Sequence, residues 1–247
     1  MTETAGTHRS QGRTDAVSVW TRLSFAAWTA LAVHLVAGLA MAFILSQGLE
    51  TNANLEARLG FLADHTSLWI GGWLTWNVAA LSILYFYAAF ALAHAADGKT
   101  SAAVLIIAVL LGAIGVAADL AAEAIEMGTL PGLARQALTQ TMQSTAWMTA
   151  RSAFLVLDRT AVVLTGYLAN GLYTCAAQLL ITSTRPANSR WVWMAGLGAG
   201  ASGLALSGVS LAHSVAGMYW ANMALVPCLI LWQLGVALTA AQRGKGQ

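Results

Sequence analysis

The stretch SAAVLIIAVLLGAIGVAADLAAEAIE, residues 101–126, decides the fold. From Ser101 to Ala118 it holds no charged residue, and an apolar run of that length reads as a membrane span rather than a core helix. Its last third then introduces Asp119, Glu123 and Glu126 at spacings of four and three. At about 100° per residue these carboxylates fall within about 60° of one another, on one helical stripe. A segment built for lipid therefore carries three acids on a single face.

The same apolar character recurs along the chain. Six segments approach or exceed the roughly 20 residues needed to cross a bilayer core. They lie at 23–46, 68–95, 101–126, 152–181, 191–213 and 218–241, between an N-terminal tail of residues 1–22 and a C-terminal tail of residues 242–247. Of the 247 residues, 58% are hydrophobic and only 9% are charged, against about 25% charged in soluble domains. The expected fold is all-α: a polytopic membrane protein, a bundle of six transmembrane helices with the lipid bilayer as its main partner. The first segment is longer than the roughly 7–15 residues of a signal-peptide core, and no small-x-small site follows it, so it reads as a retained span. Net charge is only +2, and no Lys/Arg cluster is interleaved with aromatics, which excludes nucleic acid as a partner. Cys175 and Cys228 fall at depths about 10 Å apart, too far for a disulfide, and read as packing residues.

Loop charge sets the expected orientation, because cytoplasmic loops keep Lys and Arg. With the N-terminus inside, Arg9, Arg13, Arg22, Lys99, Arg185, Arg190, Arg243 and Lys245 are cytoplasmic, eight in all. Arg58, Arg135 and Arg151 lie opposite, and Arg159 lies within a span. Both termini are thus expected in the cytoplasm of a cell whose plasma (inner) membrane the chain crosses. The layout resembles six-span bacterial membrane proteins in a general, motif-free way. The two longer external loops each predict a short interfacial helix. In TNANLEARLGFL, Leu55, Leu59 and Leu62 follow a capping Thr51 or Asn52. In PGLARQALTQTMQSTAW, Pro131 precedes Leu133, Ala137 or Leu138, and Met142. Such helices serve either as structural trim or as a lid over an external cavity. In span 5, Gly196, Gly200, Gly203 and Ser207 share one face that suits close helix packing within the chain or against a second copy.

The embedded charges carry the functional expectation. Asp119 lies about 12 Å below the outer boundary, Glu126 close to it, and Asp158 and Arg159 enter from the same side in span 4. Spans joined in sequence tend to be neighbours, which makes Arg159 the first expected partner for Asp119 or Glu123. Asp119, Glu123 and Asp158 then outnumber the one guanidinium by two. Uncompensated buried carboxylates escape by protonation, water access or a bound cation. At least one of the three is therefore expected to carry a proton at neutral pH or to hold a cation. Asn77, Glu126, His213 and Asn222 add polar groups at similar height, and Trp69, Trp73 and Trp76 form a stripe that is either an aromatic belt with core packing or the wall of a ligand pocket.

No cofactor is expected. His34, His65, His94 and His213 lie at unmatched depths for a haem, and no HxxxH spacing supports a metal. Nucleotide-binding and hydrolase motifs are missing: there is no GxxxxGK[ST], GxSxG, HExxH or DDxxD. Three functions remain. The first is binding or carrying a small molecule or cation at an outward-facing polar centre of Asp119, Glu123, Glu126, Asp158, Arg159, Asn77 and His213, as a transporter would. The second is membrane-embedded acid/base catalysis on a lipid-soluble substrate. The third is a structural or assembly role in which the charges form an internal ion-pair network.

Overall fold

The computed structural model describes residues 4–184 and 189–245, with side chains from residue 19 onward. Arg185, the side chains of Arg9 and Arg13, and the outermost residues of both tails (1–3 and 246–247) lie outside the described residues. The described residues are predominantly helical, and there is no strand among them. Six helices or helix runs are long and apolar enough to span a membrane: Val19–Gln47, Thr66–Ala96, Ala102–Thr139, Thr145–Ser183, Arg190–Leu211 and Val215–Gly244. In order the elements are α1 (Thr4–Phe43) with a 3₁₀ turn at Leu45–Gln47, α2 (Leu55–Asp64), α3 (Thr66–Ala96), α4 (Ala102–Gly128), α5 (Leu130–Thr139), α6 (Thr145–Val162), α7 (Asn170–Ser183), α8 (Arg190–Leu211) and α9 (Val215–Gly244). A π-helical segment, Val163–Ala169, joins α6 to α7 within span 4. The protein is an all-α polytopic membrane bundle. Its outward surface agrees: Phe25, Leu39, Phe43, Leu92, Ile106 and Val156 point away from the bundle where a soluble protein would place charge.

The spans form a closed ring in chain order. Each packs on the next, from α1 on α3 through α4, α7 and α8 to α9, and α9 closes back on α1. A buried Ser24 hydroxyl on α1 donates to the Ala237 carbonyl on α9, 3.0 Å away, at that closure. Small residues permit it: Ala26, Ala27 and Ala30 on α1 and Ala237 and Ala240 on α9 are buried in the shared core. The glycine face of α8 is occupied by α7 within the chain. A Cβ on Gly196 would strike Ile181, one on Gly200 would strike Gln178, and one on Gly203 would strike Thr174.

The two ends of the ring differ. At the end holding the chain termini, Phe86, Tyr87, Phe90 and Trp232 interlock edge-on and tilted with Trp20 nearby, filling the centre with aromatic rings. The opposite end is capped by α2 and α5. Asn54, rather than Thr51 or Asn52, caps α2: its side chain accepts the Ala57 amide at 3.1 Å, while Asn52 accepts the Asn54 amide. α2 does not simply lie on the surface. Leu59 and Leu62 are fully buried with Trp69, Trp73, Leu130 and Phe154, and Gly48 lets Leu62 and Trp69 approach its backbone where a side chain would collide with both. In α5 the buried face is Leu130, Pro131, Ala134 and Ala137, while Leu138 points outward; the expected Met142 lies past the end of the helix and is exposed too.

Candidate functional site

All three acids of the α4 stripe are buried just beneath this cap. Asp119 is the deepest. Its Oδ1 accepts a short hydrogen bond from the Thr165 hydroxyl of the π segment, and its Oδ2 accepts one from the Tyr173 hydroxyl of α7 at 3.2 Å. Tyr87 of α3 extends the chain inward by donating to the Tyr173 carbonyl at 3.1 Å. A π segment widens the turn beyond 3.6 residues, and here it presents Thr165 to Asp119 while Gly166 lies against Ser210 of α8. Glu123 and Glu126 are 1% and 2% exposed, and each keeps one oxygen, Oε2, with no hydrogen-bond donor. Trp69 donates its indole N–H to the Glu126 carbonyl at 2.8 Å, which fixes α3 against this part of α4.

Asp158 has the partner the sequence assigned to no one. Arg58, on α2, reaches it with Nη2 at 2.7 Å, donates Nε to the Gly48 carbonyl at 2.9 Å, and stacks over Phe154 at 5.6 Å. Arg58 is itself only 5% exposed. A residue counted as an external loop charge is thus a buried member of the centre. Arg159 corrects the expected pairing in the other direction. It bonds neither Asp119 nor Glu123: its Nη2 caps the C-terminal end of α8, donating to the Ser210 and Leu211 carbonyls at 2.7 and 3.0 Å. The reason is angular, since Arg159 lies about 100° around the helix from Asp158 and so faces α8 rather than α4. Asn77 also stays outside the acid set, its amide directed to the Trp73 carbonyl and the Met127 sulfur.

At the rim, Glu50 follows the 3₁₀ turn and meets His213, whose backbone turns through φ +55° between α8 and α9, with Oε2 and Nε2 3.2 Å apart. The other Glu50 oxygen has no donor. Burial holds the Glu50 carboxyl above its ordinary value of 4.5, and Asp158 adds to the rise, against the opposing pull of His213 and Arg159. Glu126 lies within electrostatic reach of Asp158, Arg58, Glu50 and Glu123, and Glu123 of Asp119. The centre is therefore one connected group. Four buried carboxylates, Asp119, Glu123, Glu126 and Asp158, and the half-buried Glu50 face the buried Arg58 and the half-buried Arg159, so acids exceed guanidiniums by three.

The sequence missed Arg58, Glu50, Thr165 and Tyr173. Arg58 left a signal, because it shares the apolar side of α2 with Leu55 and Leu62 at spacings of three and four. Thr165 and Tyr173 left none, since the π segment shifts the phase on which face assignment depends. None of the protein-family models, curated proteins or solved structures compared with the chain matches it.

Proposed function

We propose that the protein binds or carries a cation, or a small molecule bearing one, at the centre formed by α4, α6 and α2, in the outer half of a plasma (inner) membrane with both termini cytoplasmic. The observation that supports this reading is a set of acceptors without donors. Glu50, Glu123 and Glu126 each hold one buried carboxylate oxygen free, in a group whose acids exceed its guanidiniums. Burying charge without compensation costs several kcal/mol per group, so the arrangement calls for a positive partner. Asp119, Glu123, Glu126 and Asp158 would supply the negative field, Arg58 and Arg159 would limit it, and His213 would stand at the mouth.

A thermal-shift screen of the purified protein against monovalent and divalent cations and organic ammonium compounds, across pH, tests this. A stabilising ligand, or a pH dependence of the melting temperature, whose effect disappears in Glu123→Gln supports the reading, and a protein that responds neither to any of these compounds nor to pH through Glu123 overturns it. One observation favours a second reading, in which the charges only fasten helices. The Arg58 and Asp158 pair ties α2 to α6, and Arg159 ties α6 to α8. That reading expects Glu123→Gln to change stability without changing any ligand response.

A further inference from the structure

We propose that the cation taken up at this centre is the proton, passed from the His213 and Glu50 pair at the rim through Glu126 and Glu123 to Asp119. This rests on the cation-binding reading above and names its cargo.

The geometry separates a proton from a metal ion. Hard cations take six or more oxygen ligands at about 2.0–2.6 Å, converging from several directions. Among the described residues no three His, Cys, Asp or Glu side chains gather closely enough to hold a metal. Instead the acids run in file. Glu126, Glu123 and Asp119 descend one face of α4 in steps of about 4.5 and 6 Å, and each of the two glutamates holds its buried Oε2 without a donor. A proton needs only one such oxygen at a time. Glu123 and Glu126 are almost completely enclosed, so a hydrated ion would have to shed its water shell to reach them, whereas a proton would not.

Most elements around the file contribute a group that shapes it, while α5 turns its Arg135 away to the Ala63 carbonyl and the Thr66 hydroxyl. Glu50 comes from the α1–α2 connection, Arg58 from α2, Asp158 and Arg159 from α6, Tyr173 from α7, Tyr87 from α3 and His213 from the α8–α9 turn. The file has a deep end. Both Asp119 oxygens accept hydroxyl donors, and beyond Tyr173 and Tyr87 lie Phe86, Phe90 and Trp232, with no carboxylate among them. It is a half-path, open to one side and stopped by aromatic packing on the other.

Infrared difference spectroscopy of the full chain in liposomes, with pH steps applied to one face at a time, tests the proposal. Protonated carboxyl bands should titrate, shift in D₂O and respond first to the face bearing α2 and α5. Asp119→Asn should remove one band, and Glu126→Gln should slow the Asp119 response. Glu50→Gln, at the least buried position, gives a rim variant in which the same slowing is read, with melting temperature confirming that it folds. Carboxyl bands that do not titrate, or an Asp119 band whose rate is untouched by both Glu126→Gln and Glu50→Gln, overturn the relay. If the bands stay silent while sodium, potassium or calcium stabilises the protein but not Glu123→Gln, the proton is the wrong cation and the site stands. If no cation acts either, both readings fall together.

Discussion

At the scale of single residues, the buried ion pair sets the first expectation. Arg58 and Asp158 are both buried, 2.7 Å apart, and the guanidinium spends its remaining capacity on the Gly48 carbonyl and the Phe154 ring. Removing one member strands a charge, which costs about 3–5 kcal/mol, while replacing both by apolar residues of similar size is far milder. Arg58→Ala should therefore lower the unfolding midpoint in detergent sharply, and the double replacement Arg58→Leu with Asp158→Leu should recover most of the loss. Equal midpoints for Arg58→Ala and the parent would show that the pair contributes nothing. Glu50 gives a second expectation through its acid–base behaviour. Its folded-state carboxyl is held above 4.5, so the folded protein binds more protons there than the unfolded chain does. Stability from this group is present below about that value and falls as pH rises through the folded-state titration. Glu50→Gln should flatten that decline in a plot of unfolding midpoint against pH. A decline of unchanged slope assigns it to other groups.

At the scale of elements, what could be read from the sequence and what could not divide along a physical line. Span positions follow from apolar run length alone, and the six read from 23 to 241 match the observed helices to within a few residues at most ends. Three ends depart further: α1 begins at Thr4 instead of 23, the span 3 run continues through α5 to Thr139 instead of 126, and span 4 starts at Thr145 instead of 152, in each case because polar residues continue the helix of an apolar segment. Which acids share a face was equally legible on α4, whose period is regular from Ala102 to Gly128. It was not legible in span 4, where the seven-residue π segment changes the number of residues per turn. Contacts across loops, such as Arg58 with Asp158 over a separation of 100 residues, are set by how α2 folds back, which no local period encodes. The π segment also yields a prediction. A Cβ on Gly166 would press on the Ser210 side chain, so Gly166→Ala should destabilise by about 1–3 kcal/mol, as overpacking does. Ser210→Gly in the same protein should relieve it. Failure of that rescue, measured by thermal unfolding, would place the strain in the helix itself.

At the scale of the whole molecule, the ring has a polar half and an apolar half, and its use depends on which half faces which compartment. The aromatic plug of Phe86, Phe90, Trp20 and Trp232 sits at the end of the chain termini, and the acids sit under α2 and α5 at the other. A proton or other cation would therefore reach Asp119 from the capped end. In the proposed orientation, which rests on eight Lys and Arg residues on the termini side against three opposite, the capped end faces away from the cytoplasm. Orientation and access are then a single question. In a background with Cys175→Ser and Cys228→Ser, Thr141→Cys, exposed beyond α5, should react with a membrane-impermeant maleimide in intact cells. Lys99→Cys, exposed between α3 and α4, should react only after the membrane is opened. The reverse pattern would turn the acidic centre toward the cytoplasm, and the half-path would then draw its protons from inside the cell.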